Sequence, residues 1–257
     1  MFPVVNIILK KTIPQWAYVR LVGRWDNAGL KKYSSNTGWL LLGKIFSLVV
    51  SFFMVAIVAR YLGPENLGKF SYAQSFVAIF SVLASLGINQ ILLRDLVEFP
   101  KKENQILGTA FIIKLFSGAI TTALTISIAY FLDADIFLTF LILILSLSFI
   151  VEPFGITSSV FGARVKSKYS VISKIIVTVL IPLLKLLIIF TGKGILFFAA
   201  IILLEIILSA FISFIFYLRV FKHSPLQWSV DVAYGKKLIC SSIPMLFAGV
   251  SGYLFAR

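Results

Sequence analysis

Six apolar runs, at about residues 37–59, 72–92, 107–131, 136–158, 170–191 and 195–218, are each long enough to cross a bilayer as a helix, which takes about 20 residues. A seventh begins near Leu238 and runs on to Arg257. Backbone amides in hydrocarbon find no water, so segments of this kind satisfy their hydrogen bonds internally, as helices. The expected fold class is all-α integral membrane: six transmembrane helices plus the start of a seventh span. Composition agrees, with 60% hydrophobic residues, 13% charged residues and a mean hydropathy of +1.01. Soluble domains are about half apolar and about a quarter charged.

The formal net charge of +14 would suit a nucleic-acid partner if the charges shared one polar face. They sit instead in short segments between the apolar runs. Lys10, Lys11, Arg20, Arg24, Lys31 and Lys32 precede the first run. Arg94, Lys101 and Lys102, then Arg164, Lys166 and Lys168, then Arg219, Lys222, Lys236 and Lys237 fall on the same side. The other side has Arg60, Lys69 and Lys193 with Asp133 and Asp135. An excess of lysine and arginine marks the cytoplasmic side, so a cytoplasmic amino terminus is expected.

Four sections follow: a basic segment over 1–35, a six-span lobe over 36–218, a cytoplasmic connection over 219–237, and the start of span seven over 238–257. Residues 2–9 are apolar, but Lys10 and Lys11 follow them, which is the reverse of a signal peptide. Residues 15–33 have two readings, an interfacial helix with Arg20, Arg24, Asn27 and Lys31 on one face, or a disordered basic tail. One cysteine, Cys240, and one histidine, His223, leave no disulfide or Cys/His metal centre to expect, and no cofactor is expected. The outer connections are too short to build an active site, and the inner ones hold no phosphate cradle or nucleophile–base pair. Asp133 and Asp135 read as a solvated turn. The chain is not expected to be an enzyme.

Polar residues recur at helical spacing inside the runs, and ionisable ones there are functional candidates because hydrocarbon disfavours them. Span one carries Lys44, Ser47 and Ser51; span two Ser71, Gln74, Ser81, Ser85 and Asn89; span three Lys114, Gly118, Thr121 and Thr125. Span four has Ser148, Glu152, Gly155 and Ser159, with Pro153 expected to bend it. Span five has Lys174, Thr178 and Lys185, and span six Glu205 and Ser209. The candidates for a hydrated lumen are therefore Lys44, Gln74, Asn89, Lys114, Thr121, Glu152, Lys174, Lys185 and Glu205, with Arg257 in span seven. Each has a plainer reading: small-residue stripes pack helices, lysines near a span end snorkel to the headgroups, and Glu152 and Glu205 neutralise buried lysines. Together the lysines suggest a cationic lumen for a phosphorylated ligand. Arg60 lies sixteen residues from Lys44, nearly opposite it on an ideal helix. Arg60 and Lys69 are assigned to the outer headgroup boundary.

The joint ARYLGPENLGKFSYAQS, Ala59 to Ser75, links the first two runs through Gly63-Pro64. With Asn36-Thr37-Gly38-Trp39 before span one, Leu67-Gly68-Lys69-Phe70-Ser71 before span two, LGINQILLRDL from Leu86 to Leu96, and Gly108 opening span three, it resembles the amino-terminal half of the Wzx-type polysaccharide flippases of the MOP superfamily. The resemblance covers roughly residues 33–257. It implies one lobe of a two-lobe transporter that moves undecaprenyl-pyrophosphate-linked oligosaccharide repeat units, O-antigen or capsule, across the inner membrane by alternating access. It further implies partners in the lipid-linked substrate, membrane lipids and the polymerase and chain-length machinery, and none in nucleic acid. On that reading the basic extension is longer than the pattern, and the second lobe is missing from a chain that stops at Arg257 in span seven, either as a fragment or through an interrupted reading frame.

The same fold would serve a multidrug or cation antiporter, which relies on carboxylates in its spans; spans one to three have none. A lipid II flippase carries an Asp-Ala-Phe-like turn where this chain has Gly68-Lys69-Phe70. A membrane-embedded glycan-assembly enzyme is the alternative of another class.

Overall fold

The computed structural model describes residues 27–132, 135–221 and 227–255, with side-chain surroundings for 34–132, 135–221 and 227–246. The expectations for Asp133, His223, Arg257 and most of the proposed interfacial helix fall outside these residues. Among the described residues the chain is helical throughout: α1 (Asn27–Ser85), α2 (Ile88–Glu98), α3 (Glu103–Phe131), α4 (Ile136–Ser146), α5 (Ser148–Val151), α6 (Thr157–Ala163), α7 (Ser167–Phe190), α8 (Ile195–Phe221) and α9 (Val232–Phe255). Five stretches of it are long and apolar enough to cross a membrane. The protein is an all-α integral membrane protein.

Helix α1 spans 59 residues; unbroken it would measure about 88 Å, against a hydrocarbon core of about 30 Å. Gly63 resolves the mismatch. Its backbone lies at φ 69, ψ 172, a conformation open to glycine and strained for side chains with a Cβ. Pro64 then starts the second limb, where its missing N–H and fixed φ are harmless. The chain reverses here, as contacts at the two ends of the bundle establish. At one end the Ser167 amide donates to Asn36 Oδ1 and Arg164 pairs with Glu103. At the other, the Tyr61 hydroxyl donates to the Lys193 carbonyl at 2.9 Å. The first limb thus runs parallel to α7, and the second returns to the end that carries Arg94 and Arg164.

Span four is broken. The helix gives way to a 3-10 turn over Glu152–Ile156, between α5 and α6. Pro153 lacks the N–H needed to continue an α-helix, and the α-helical hydrogen bonding expected to be disturbed there gives way to 3-10 geometry. Span two breaks as well, at Leu86 (φ 49) and Gly87 (φ 65), and α2 restarts at Ile88. Met245 of α9 fills the space a Cβ on Gly87 would need, 2.8 Å from its own Cβ.

Close approach holds the bundle together, because lipid tails are as apolar as the side chains and packing must supply the attraction. A Cβ on Gly118 would overlap the Phe149 carbonyl, and one on Gly43 would lie 2.6 Å from Val171 Cγ1. Leu62, Phe70, Ala73, Leu141 and Phe198 form one buried cluster near the Gly63 end. Ile88, Leu92, Ile106, Phe161 and Tyr217 form another at the basic end. Large apolar side chains such as Phe52, Phe116 and Phe190 point outward, as a surface solvated by hydrocarbon requires.

Candidate functional site

Lys114 is 3% exposed, deep within the bundle on α3. An ammonium so placed needs partners, since an unpaired charge in a medium of low polarity is strongly disfavoured. It donates to Asn89 Oδ1 at 2.9 Å and to Glu152 Oε1 at 3.0 Å. Both partners owe their position to a break. Asn89 stands in the first turn of α2, just past the Leu86-Gly87 interruption, and Glu152 opens the 3-10 turn. The lysine is 4% exposed at its side chain and the glutamate 38%, so Glu152 presents its free face to the adjoining space.

That space is a cavity of about 460 Å³, lined by Asn89, Lys114, Glu152, Ser159, Glu205 and Ser209 among others. A second cavity of about 270 Å³ is lined by Ser51, Ser71, Gln74, Thr178, Lys185 and Glu205 together with apolar residues. Glu205 on α8 lines both, so the two cavities adjoin at one carboxylate. Six of the candidate residues line them: Gln74, Asn89, Lys114, Glu152, Lys185 and Glu205.

The other candidates lie elsewhere. Lys44 and Lys174 are exposed and line neither cavity. Thr121 is buried with Gly118 and Thr125 on the face of α3; Gly118 on that face packs against span four, and Thr125 Oγ1 turns back to the Thr121 carbonyl at 2.7 Å. Ser81 and Ser85 likewise bond carbonyls of their own helix. The small-residue reading holds for these positions. Lys69 pairs with Glu65 at 2.8 Å, one helical turn away, and Arg60 is exposed at the same end. Arg257 lies outside the described residues. Among the described residues, two lysines, Lys114 and Lys185, and two glutamates, Glu152 and Glu205, line the two cavities.

A network at the basic end went unrecognised in the sequence, where its charges registered only as topology signals. Arg164 Nη2 meets Glu103 Oε2 at 2.8 Å, and the Tyr217 hydroxyl donates to Glu103 Oε1. The segment leading into α9 docks beside it. The Asp231 amide donates to Thr109 Oγ1, Gln105 donates to Asp231 Oδ2, and the Tyr234 hydroxyl donates to Asp95 Oδ2 at 2.9 Å. Burial, with that last hydrogen bond, pushes the Tyr234 phenol above its ordinary range. Ser229 closes over Gly108, its carbonyl 2.5 Å from where a Cβ would stand. The only signal for this docking in the sequence is the pairing of Gly108 with nearby amides and acids, which does not reveal its partner.

Long apolar helices with polar cavities between them mark a multi-pass membrane protein. The family model described as "Polysaccharide biosynthesis protein" matches residues 34–257. The chain belongs to that family, the family of the Wzx and MOP flippases. No curated protein matches it, and no solved structure does.

Proposed function

We propose that the protein is a flippase that carries undecaprenyl-pyrophosphate-linked oligosaccharide repeat units across the bacterial inner membrane for cell-surface polysaccharide synthesis. The single observation that carries this reading is the buried ammonium of Lys114, held by Asn89 and Glu152 at the wall of a polar cavity. With Lys114 paired in this way, a pyrophosphate gains the cation by displacing Glu152, whose carboxylate already faces the cavity. A dianionic phosphate offers more acceptor oxygens than the carboxylate it replaces and makes stronger charge-assisted bonds. Ser159, Ser209 and Gln74 then meet sugar hydroxyls. Alternating access about a site between two lobes supplies the movement. The amino terminus lies in the cytoplasm, the role is transport rather than catalysis, and the polymerase and chain-length machinery receive the product.

The test is replacement of Lys114 and Lys185 by alanine together, with surface glycan and membrane abundance measured. Loss of lipid-linked glycan export at unchanged abundance is expected; normal surface glycan would sink the reading. A downstream reading frame that encodes a large polar domain in place of further spans would count for a glycan-assembly enzyme.

One observation favours a second reading. Glu205 lines both cavities, and an intramembrane carboxylate on a polar passage is what a cation or drug antiporter uses. Cells expressing Glu205→Gln separate the two. Increased sensitivity to cationic dyes with intact glycan export speaks for the antiporter.

A further inference from the structure

Beside the polar cavity lies an open apolar groove of about 760 Å³, within the size of pockets that bury small ligands, about 300–1,000 Å³. Phe111, Val151, Phe154, Phe211, Phe214 and Trp228 line it. The wall is braced ring against ring: Phe111 meets Phe154 edge-on at 5.2 Å between centroids and Trp228 at 5.8 Å.

Groove and cavity change over within one helical turn on three elements. On α3, Phe111 lines the groove and Lys114 the cavity. In the broken part of span four, Val151 and Phe154 line the groove while Glu152 and Gly155 line the cavity. On α8, Ala210 lines both. A ligand polar throughout would leave the aromatic wall unused, and an apolar one would leave Lys114 and its carboxylates unmet. The continuous pair fits one molecule with an anionic head and a hydrocarbon chain.

We propose that this groove binds the head-proximal isoprene units of the polyprenyl chain while the pyrophosphate sits at Lys114. This rests on the flippase reading and adds a lipid-chain subsite on the lobe that carries Lys114. The subsite makes Phe111, Phe154 and Ala210 determinants of lipid-carrier selectivity, distinct from the residues that meet the sugar.

The experiment uses the purified protein in nanodiscs with two photoreactive probes: undecaprenyl pyrophosphate carrying a diazirine near its head, and phosphatidylethanolamine carrying one on an acyl chain. Cross-links from the prenyl probe are expected on Phe111, Phe154 or the Ile207–Phe214 stretch, competed by unlabelled undecaprenyl pyrophosphate and not by phospholipid. Ala210→Trp, which fills the groove from its shared wall, is expected to remove those cross-links. Equal labelling of the groove by both probes, or prenyl labelling confined to other segments, overturns the proposal. Should Ala210→Trp fail to fold, the competition pattern on the unsubstituted protein decides alone. The outcomes separate from the failure of the parent reading. Labelling is scored without transport, so absent groove labelling with intact glycan export removes the subsite only, whereas groove labelling in a protein that exports no glycan removes the flippase.

Discussion

Lys114 on α3 and Glu152 in the 3-10 turn of span four form an ion pair at 3.0 Å on the wall of the cavity, the lysine side chain 4% exposed and the glutamate side chain 38%. The asymmetry matters. The ammonium is enclosed by the bundle, whereas the carboxylate has open space beside it.

Removing one member of that pair should be worse for stability than removing both. Glu152→Ala leaves Lys114 with Asn89 alone and is expected to lose about 3 kcal/mol, the low end for breaking a buried pair. Lys114→Ala/Glu152→Ala should recover most of this loss and remain inactive in export. Thermal unfolding in detergent, followed beside surface glycan, checks both halves. Equal destabilisation in the single and double variants would show that the pair carries no coupling.

Gly63 and Gly68 stand five residues apart in the same turn, and nothing crowds a Cβ at either. Only Gly63 has a positive φ, 69°. Gly63→Ala should therefore destabilise by about 1–3 kcal/mol through backbone strain alone, and Gly68→Ala should be neutral or slightly stabilising. Thermal midpoints of the two variants compared side by side test the assignment of the reversal to Gly63.

Gly118 faces the Phe149 carbonyl with no room for a methyl group. Gly118→Ala should push spans three and four apart and lower stability by about 1–3 kcal/mol, the usual effect of overpacking. The added damage should reach Lys114, one turn away on the same face, so export should fall more than abundance does.

Tyr234→Phe removes the hydrogen bond to Asp95, leaving an acceptor that is 5% exposed with Arg94 as its remaining partner at 2.9 Å. A loss of about 1.5–3 kcal/mol is expected for a hydrogen bond to a charged group. Hydrogen exchange should quicken over residues 228–238, where the segment docks, and stay unchanged in α7. Uniform quickening through the bundle would contradict a local latch.

The membrane class, the family and the run of apolar spans were legible in the chain alone. They depend on local properties: the length of a hydrophobic run, the asymmetry of lysine and arginine, and a Gly-Pro joint that no helix passes through straight. The break in span four was legible too, because Pro153 lacks its N–H wherever the helix packs. The site was legible only in part. Helical spacing placed Lys114, Glu152, Lys185 and Glu205 inside spans, but it treated Lys44, Thr121 and Lys174 no differently.

Tertiary structure decided among them. A stripe states which residues share a face and says nothing of which helix that face meets. Lys114 and Glu152 are 38 positions apart, and it is the breaks at Leu86-Gly87 and at Glu152–Ile156 that turn Asn89 and the glutamate toward the lysine. The same packing sends Thr121 into a helix interface and leaves Lys44 and Lys174 exposed. The grouping of charges is also a property of the assembled bundle, because Lys114, Glu152, Lys185 and Glu205 come from four different spans.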